Sequence, residues 1–332
     1  MANKIELGKL IIGNIKLSKL MKNAYKNYLE IEKSIEKRLE DLNYNENIVF
    51  PNKNLSFIES YKKNFFTFLM LSILENMKIK KGKILKYGEI IFCLRTIITS
   101  TDNMIDNENK GVIILKNIEN HTVNNTLLIL TMQNILNLIL KELKASDSTM
   151  SFILNKIYSV AKSESQRDST KYSKYPNPEY VINEIHKGIG GELLQLSLWV
   201  PSILESDKEL VNKYNDSLFD IGMALQGLDD LCDMEEDFKA SQVNLGISKL
   251  IYEFNIDKDN FYNKIDFKSL SREYSEMHNL YVKQCIKTAL QGFEKLNHLD
   301  YPISKKDSVV LLKYLFELRG IKELWDSVDY RI

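Results

Sequence analysis

Helix breakers are scarce in this chain. Thirteen glycines and five prolines punctuate 332 residues, so most of the sequence meets nothing that stops a helix, whereas a sheet protein needs frequent turns. From Lys16 to Leu42 apolar residues recur at three- and four-residue steps among charges, the pattern of an amphipathic helix. Asn43 to Ser56, with its asparagine cluster and Pro51, reads as a loop. Phe57 to Met77 is apolar on nearly all sides and predicts a buried helix. Further helices are predicted at Ile84–Asp106, Asn125–Lys144, Thr149–Arg167, Tyr180–Glu205, Lys208–Asp237, Ser269–Asn297 and Lys306–Val328. Ser169 to Pro178, polar with two prolines, reads as a loop. No segment sustains period-two alternation, and no repeat or low-complexity linker divides the chain. The expectation is an all-α, single-domain helical bundle over residues 1–332, with an N-terminal helix and loop (1–56) leading into the main bundle (57–332).

Hydrophobic residues make up 44% of the chain and charged residues 27%, as in a globular protein that folds in water. Acids and bases balance at 45 each, so no global field steers the protein to nucleic acid or an anionic membrane. Cys93, Cys232 and Cys285 lie far apart, without the paired spacing of a zinc site or disulfide framework; a reducing, cytoplasmic location is expected. The opening MANKIELGKLIIGNIK places acid and base inside its apolar run, so no secretory leader is expected. Thr126 to Leu140 is the most apolar stretch, but it contains Gln133, Asn134 and Asn137. It is too short to span a bilayer and reads as a core helix.

The most informative segment runs from Gln226 to Lys239. Apolar turns (Leu218, Phe219, Ile221, Leu225) lead into Asp229, Asp230, Asp233, Glu235, Glu236 and Asp237. Asp229, Asp233 and Asp237 stand at i, i+4 and i+8, which stacks their carboxylates on one helix face. Like charges in a row cost helix stability unless a cation neutralises them. Mg2+ takes one or two carboxylates together with phosphate oxygens and water. An isolated acidic run is usually a solvated helix end. Here a second acidic segment exists: Asp102 and Asp106 lie one turn apart at the end of the helix from Ile84, so two acidic faces each close an apolar helix.

The stretch from Gln226 resembles the second aspartate-rich motif of the trans-prenyl diphosphate synthases. In that motif a Gln precedes Asp-Asp-x-x-Asp by three residues and a further Asp and Lys follow, matched here by Gln226, Asp229, Asp230, Asp233, Asp237 and Lys239. The stretch from Asp102 resembles the first motif, with Asn103 replacing its second Asp. Order and separation also fit, so the resemblance covers residues 57 to 250. It implies the class I isoprenoid synthase fold, a bundle around a central apolar cavity. It further implies that Asp102, Asp106, Asp229, Asp230, Asp233 and Asp237 ligate Mg2+ (three ions, or Mn2+ in their place) against a prenyl diphosphate substrate. Asp102, Asp106, Asp229 and Asp233 are then the catalytic set. Gln226, Lys187, Lys239, Gly190 and Gly191 are the expected diphosphate-binding residues, and a homodimer is common in the family.

Lys187, Gly190 and Gly191 enter through Ile185–Glu192, where three glycines interrupt a helical pattern at about 1 kcal/mol each relative to Ala. A helix break there would free carbonyls and turn Lys187 toward the cavity mouth. The alternative is a close helix crossing with an exposed lysine. Arg167, Asp168 and Lys171 read as a surface ion-pair group in preference to a flexible loop that closes over the diphosphate, and His121, His278 and His298 as scattered single residues.

Chain-elongating synthases carry a Gly-Lys-Arg-x-Arg-Pro-like segment before the first motif and paired arginines after it, which hold the second diphosphate. This chain has Tyr61-Lys62-Lys63-Asn64-Phe65-Phe66 and Lys110-Gly111 at those places. Lysine does not replace the bidentate fork of arginine. The favoured expectation is therefore a terpene cyclase acting on one prenyl diphosphate. The alternatives are a prenyltransferase and a non-catalytic partner subunit of a prenyl synthase.

Overall fold

The computed structural model describes residues 14–42, 44, 48–51, 53, 55–106, 110–116, 118–254, 271–318 and 325. The all-α expectation holds. Strand structure among the described residues is a two-residue ribbon, β1 (Ile48–Val49) antiparallel to β2 (Ile114–Leu115). The chain divides into two compact units, one of residues 15–153 and 196–210, the other of residues 1–14, 154–195 and 211–332.

In the N-terminal unit, α1 (Ile15–Asp41) buries Leu17, Leu20, Met21, Ala24, Tyr28, Ile31, Ile35 and Leu39, the three- and four-step face read from its sequence. It packs on α3 (Phe65–Asn76) and α4 (Lys81–Asp106). Gly88 of α4 makes that junction possible: a Cβ there would lie 2.1 Å from Ile31 Cδ1 and 3.1 Å from Leu71 Cδ2. Arg38 of α1 joins two further helices, its Nε donating to Glu89 (2.8 Å) and its Nη atoms forking onto both oxygens of Glu142 (2.8 Å each).

The expected helix Phe57–Met77 is split. α2 (Phe57–Lys63) opens on a capping box formed by Ser56 and Glu59, and Asn64 leaves helical geometry at φ −122°, ψ 25°. Its carboxamide oxygen is drawn instead to Arg95 Nη1 (2.8 Å), which also donates to Thr67 (3.0 Å). α5 (His121–Glu142) lies along α4 and buries Leu128, Met132, Ile135, Leu136, Ile139 and Leu140. Among the described residues it is the one helix long and apolar enough to cross a membrane, with 44% of its most apolar window buried inside the fold.

α6 (Asp147–Ser165) carries the chain into the second unit. The expected helix Tyr180–Glu205 is in fact a mixture. A single turn, α7 (Pro178–Tyr180), runs into a π-helix at Val181–Glu192, followed by a 3-10 turn at Gln195–Leu198 and α8 (Pro201–Leu204). α9 (Lys208–Cys232) lies in this unit from Val211 onward. On one side the π-helix sits on it through glycines: a Cβ on Gly222 would lie 2.3 Å from the Gly190 carbonyl oxygen, and one on Gly191 would lie 2.3 Å from the Phe219 ring. On the other side comes α12 (Ser271–His298), whose Gly292 meets Ile221 and Ser217. The helix break expected at Gly190 and Gly191 does not occur; these residues are buried packing contacts. α13 (Lys305–Leu318) closes the described fold, and the remainder of the helix expected to reach Val328 falls largely outside the described residues.

Candidate functional site

α9 ends at Cys232 and the chain restarts as α10 (Met234–Lys239), with Asp233 between them at φ −100°, ψ 10°. This interruption changes the expected stack of carboxylates. Asp229 is half-buried, Asp233 is exposed, and Asp230 and Asp237 turn inward, at 2% and 6% exposure.

Both inward carboxylates are held by the protein itself. Asp230 Oδ2 lies 2.8 Å from His186 Nε2 on the π-helix and accepts from the Leu245 amide (2.6 Å), while Oδ1 accepts from Gln226 Nε2 (3.1 Å). Burial works to raise the Asp230 carboxyl, but His186 and these hydrogen bonds outweigh it and hold the group below the usual carboxylate range. A carboxylate can only accept, so His186 Nε2 carries the hydrogen. Asn244 bridges the two acids, its Nδ2 donating to the Asp230 carbonyl (2.7 Å) and to Asp237 Oδ2 (2.8 Å). Arg167 Nη2 reaches Asp237 Oδ1 at 3.2 Å. Asp237 is nevertheless pushed up to about 6, because burial and the charges of Asp230 and Asp233 prevail over the bonds from Asn244 and Arg167.

The loop after α10 is part of the same structure. Ser241 takes a left-handed φ of 57°, and its carbonyl accepts from the Ser169 amide (2.8 Å) and hydroxyl (2.7 Å). Asn244 then caps α11 (Leu245–Tyr252), its Oδ1 accepting from the amides of Gly246 (2.9 Å) and Ile247 (3.3 Å). The Tyr175 hydroxyl accepts from the Asn244 amide at 2.7 Å. Segment 167–176, read from the sequence as a loop with a surface ion pair, is thus a brace for the aspartate motif. Tyr175, His186 and Asn244 were not legible as parts of the site, and Arg167 reads in the sequence only as a residue that closes over the diphosphate or pairs at the surface. The available signals were an arginine beside a polar loop and an asparagine opening the apolar run Leu245–Ile251.

Of the other expected residues, Gln226 supports Asp230. Lys187 is exposed on the π-helix. Lys239 sits on the surface, paired with Glu235 at 2.8 Å. In the other unit, Asp102 is exposed near the end of α4, and Asp106 is the last residue of that helix, its side chain outside the described residues. Asn103 between them is buried and bonds to the backbone of Lys110.

Among the described residues, no three His, Cys, Asp or Glu side chains cluster to hold a metal ion. Of the expected ligands, Asp230 and Asp237 accept from donors of the protein itself. Asp229, half-buried, and Asp233, exposed, lie one turn apart, a spacing of carboxylates that Mg2+ can use when phosphate oxygens and water complete its shell.

No family model matches the chain, and no curated protein matches it. Solved structures do. A decaprenyl diphosphate synthase from Rhodobacter capsulatus superposes with a TM-score of 0.63 at 12% identity, covering 92% of this chain and 99% of that one. A polyprenyl synthase from Roseobacter denitrificans gives 0.59 at 12% identity over 91% and 98% of the two chains. A geranylgeranyl pyrophosphate synthetase from the archaeon Geoglobus acetivorans gives 0.57 at 16% identity over 93% and 99%. The protein has the all-helical fold of these synthases.

Proposed function

We propose that the protein is a Mg2+-dependent prenyltransferase that ionises a prenyl diphosphate and passes the prenyl group to an acceptor. The observation that carries this reading is the division of labour among the four aspartates. Asp230 and Asp237 lock the end of α9 to the π-helix and to α11, and Asp229 and Asp233, half-buried and exposed, stand one turn apart on that locked segment. Two carboxylates on a locked helix end can hold a divalent cation without the reorganisation that a flexible acidic tail would require.

Asp229 and Asp233 are assigned as metal ligands, and Asp102 and Asp106 take the same role from their own one-turn spacing. Mg2+ supplies neutralisation of the charge that develops on the departing diphosphate. Lys187, exposed on the π-helix, is assigned to a diphosphate oxygen, and Gln226 acts by orienting Asp230. Lys239, engaged with Glu235 at the surface, is not given a substrate contact.

The solved structures with this fold favour transfer over the cyclisation preferred from the sequence. Cyclisation stays as a second reading because of one observation: Asn64, within the segment where elongating synthases carry basic residues, spends its carboxamide on Arg95. Incubation with Mg2+ and farnesyl or geranylgeranyl diphosphate, with and without isopentenyl diphosphate, separates the cases. Longer diphosphates formed only with the second substrate are expected. Hydrocarbon formed without it would replace transfer by cyclisation. No turnover of any prenyl diphosphate would leave a non-catalytic partner subunit.

A further inference from the structure

α10 has six residues, too few to hold a direction by helix formation alone. The chain bends at Asp233, yet two backbone bonds carry the helical register through the bend: the Asp233 amide donates to the Asp229 carbonyl (2.9 Å) and the Asp237 amide to the Asp233 carbonyl (2.7 Å). The place of Asp233 beside Asp229 therefore depends on what holds Asp237. Its buried carboxylate accepts from Asn244 Nδ2 on one oxygen and from Arg167 Nη2, at 3.2 Å, on the other. Asn244 is neutral, so among the described residues the charge paired with Asp237 is that of Arg167. It is needed, because Asp230 and Asp233 act on Asp237 with like charge.

The guanidinium reaches α10 from a fixed backbone. The Arg167 carbonyl accepts from the Val243 amide and the Ser241 carbonyl from the Ser169 amide, with Asp168 and Gln242 paired between them as an antiparallel bridge. Nη1 is tied to Glu164 at 3.3 Å. All of these residues belong to the second unit.

We propose that Arg167 is a positioning residue of the metal-binding segment: it neutralises Asp237, fixes the direction in which α10 leaves Asp233, and so keeps the Asp233 carboxylate one turn from Asp229. The proposal rests on the reading of Asp229 and Asp233 as Mg2+ ligands. It gives Asp237 a guanidinium as its cation in place of a metal ion. The two roles for Asp237 have opposite consequences. If Asp237 ligated the metal, Arg167 would compete with it, and removing Arg167 would tighten binding.

The test is titration of Mn2+, an ion of the same oxygen-ligand class that paramagnetic resonance can count, into the unsubstituted protein, Arg167→Gln, Arg167→Lys, and Arg167→Gln combined with Asp237→Asn. Arg167→Gln is expected to weaken binding about tenfold, the scale of one lost charge-assisted contact. Arg167→Lys, which keeps the charge and loses the fork, is expected to weaken it less. The double variant is expected to recover to within about threefold of the unsubstituted protein, because two neutral amides leave no buried charge unpaired. Unchanged or tighter binding by Arg167→Gln, or a double variant that binds no better than Arg167→Gln alone, would overturn the proposal. Hydrogen exchange at the Gln242 amide, which donates to the Asp237 carbonyl at 2.7 Å, is the metal-free readout. Slow exchange in the unsubstituted protein, fast exchange in Arg167→Gln and slow exchange in the double variant are expected; equal rates in the first two would show that Arg167 does not hold α10. An unsubstituted protein that binds no Mn2+ would remove the ligand assignment and this proposal together. Prenyl turnover is scored separately, and the expected pattern of Mn2+ binding without any turnover would sink the transferase reading and leave this one standing.

Discussion

His186 Nε2 and Asp230 Oδ2 lie 2.8 Å apart with both side chains 3% exposed, which makes the second aspartate of the motif an internal anchor. Removing one partner of a buried pair leaves the other charge or dipole uncompensated, at a cost of about 3 kcal/mol or more. His186→Ala is therefore expected to lower unfolding stability by about that much in urea titration. A loss below about 0.5 kcal/mol, the range of ordinary surface changes, would show that the anchor is dispensable.

Asp229→Asn and Asp233→Asn should behave in the opposite way. Asp233 is exposed and Asp229 half-buried, so both variants should keep the helical circular dichroism of the parent. Turnover of a prenyl diphosphate should fall by about a hundredfold or more, the scale for removing one element of a preorganised electrostatic site. Full activity in either variant would refute the ligand assignment.

Much of the fold was readable because helix periodicity is local. The face that α1 buries is the face its three- and four-residue spacing predicts. The acidic segment from Gln226 was readable for the same reason: Asp229 and Asp233 are one turn apart in any helix. What stayed hidden depends on partners distant in sequence. Asp230 looks like Asp229 until His186, 44 residues away, is seen to hold it. Asn64 gave no sign of ending α2, because its oxygen is taken by Arg95, 31 residues on. The π-helix was illegible because its three buried glycines favoured a helix break over a close crossing, and only the approach to Ser163, Phe219, Gly222 and Gln226 decides for the crossing.

That close crossing gives its own prediction. A Cβ on Gly190 would lie 2.7 Å from Gln226 Cβ and 2.9 Å from the Gly222 carbonyl oxygen. Backbone cannot rotate away, so Gly190→Ala should destabilise by about 1–3 kcal/mol despite the better helix propensity of Ala. Gly82 near the start of α4 meets nothing within 4 Å. Gly82→Ala should raise stability by about 0.5 kcal/mol. Thermal melts of the two variants check both signs, and a stabilised Gly190→Ala would mean that the π-helix does not pack as described.

The last prediction concerns acid. Glu142 accepts both ends of the Arg38 fork, and that hydrogen bonding, against a smaller opposing effect of burial and with help from Lys86, holds its carboxyl at about 2 rather than the ordinary 4.5. A carboxylate with a lowered folded value binds fewer protons in the folded state than in the unfolded one. Its contribution to stability is thus present above 4.5 and is lost as pH falls toward about 2. The Glu142 side chain is 43% exposed, so solvent screening keeps the effect small and salt weakens it further. Glu142→Gln should melt below the parent at pH 7, and the gap should close as both are titrated toward pH 2 and narrow again in 1 M salt. A neutral glutamine and a protonated glutamate present the fork with nearly the same shape, so a gap that persists at low pH would show that the charge of Glu142 is not what stabilises the parent.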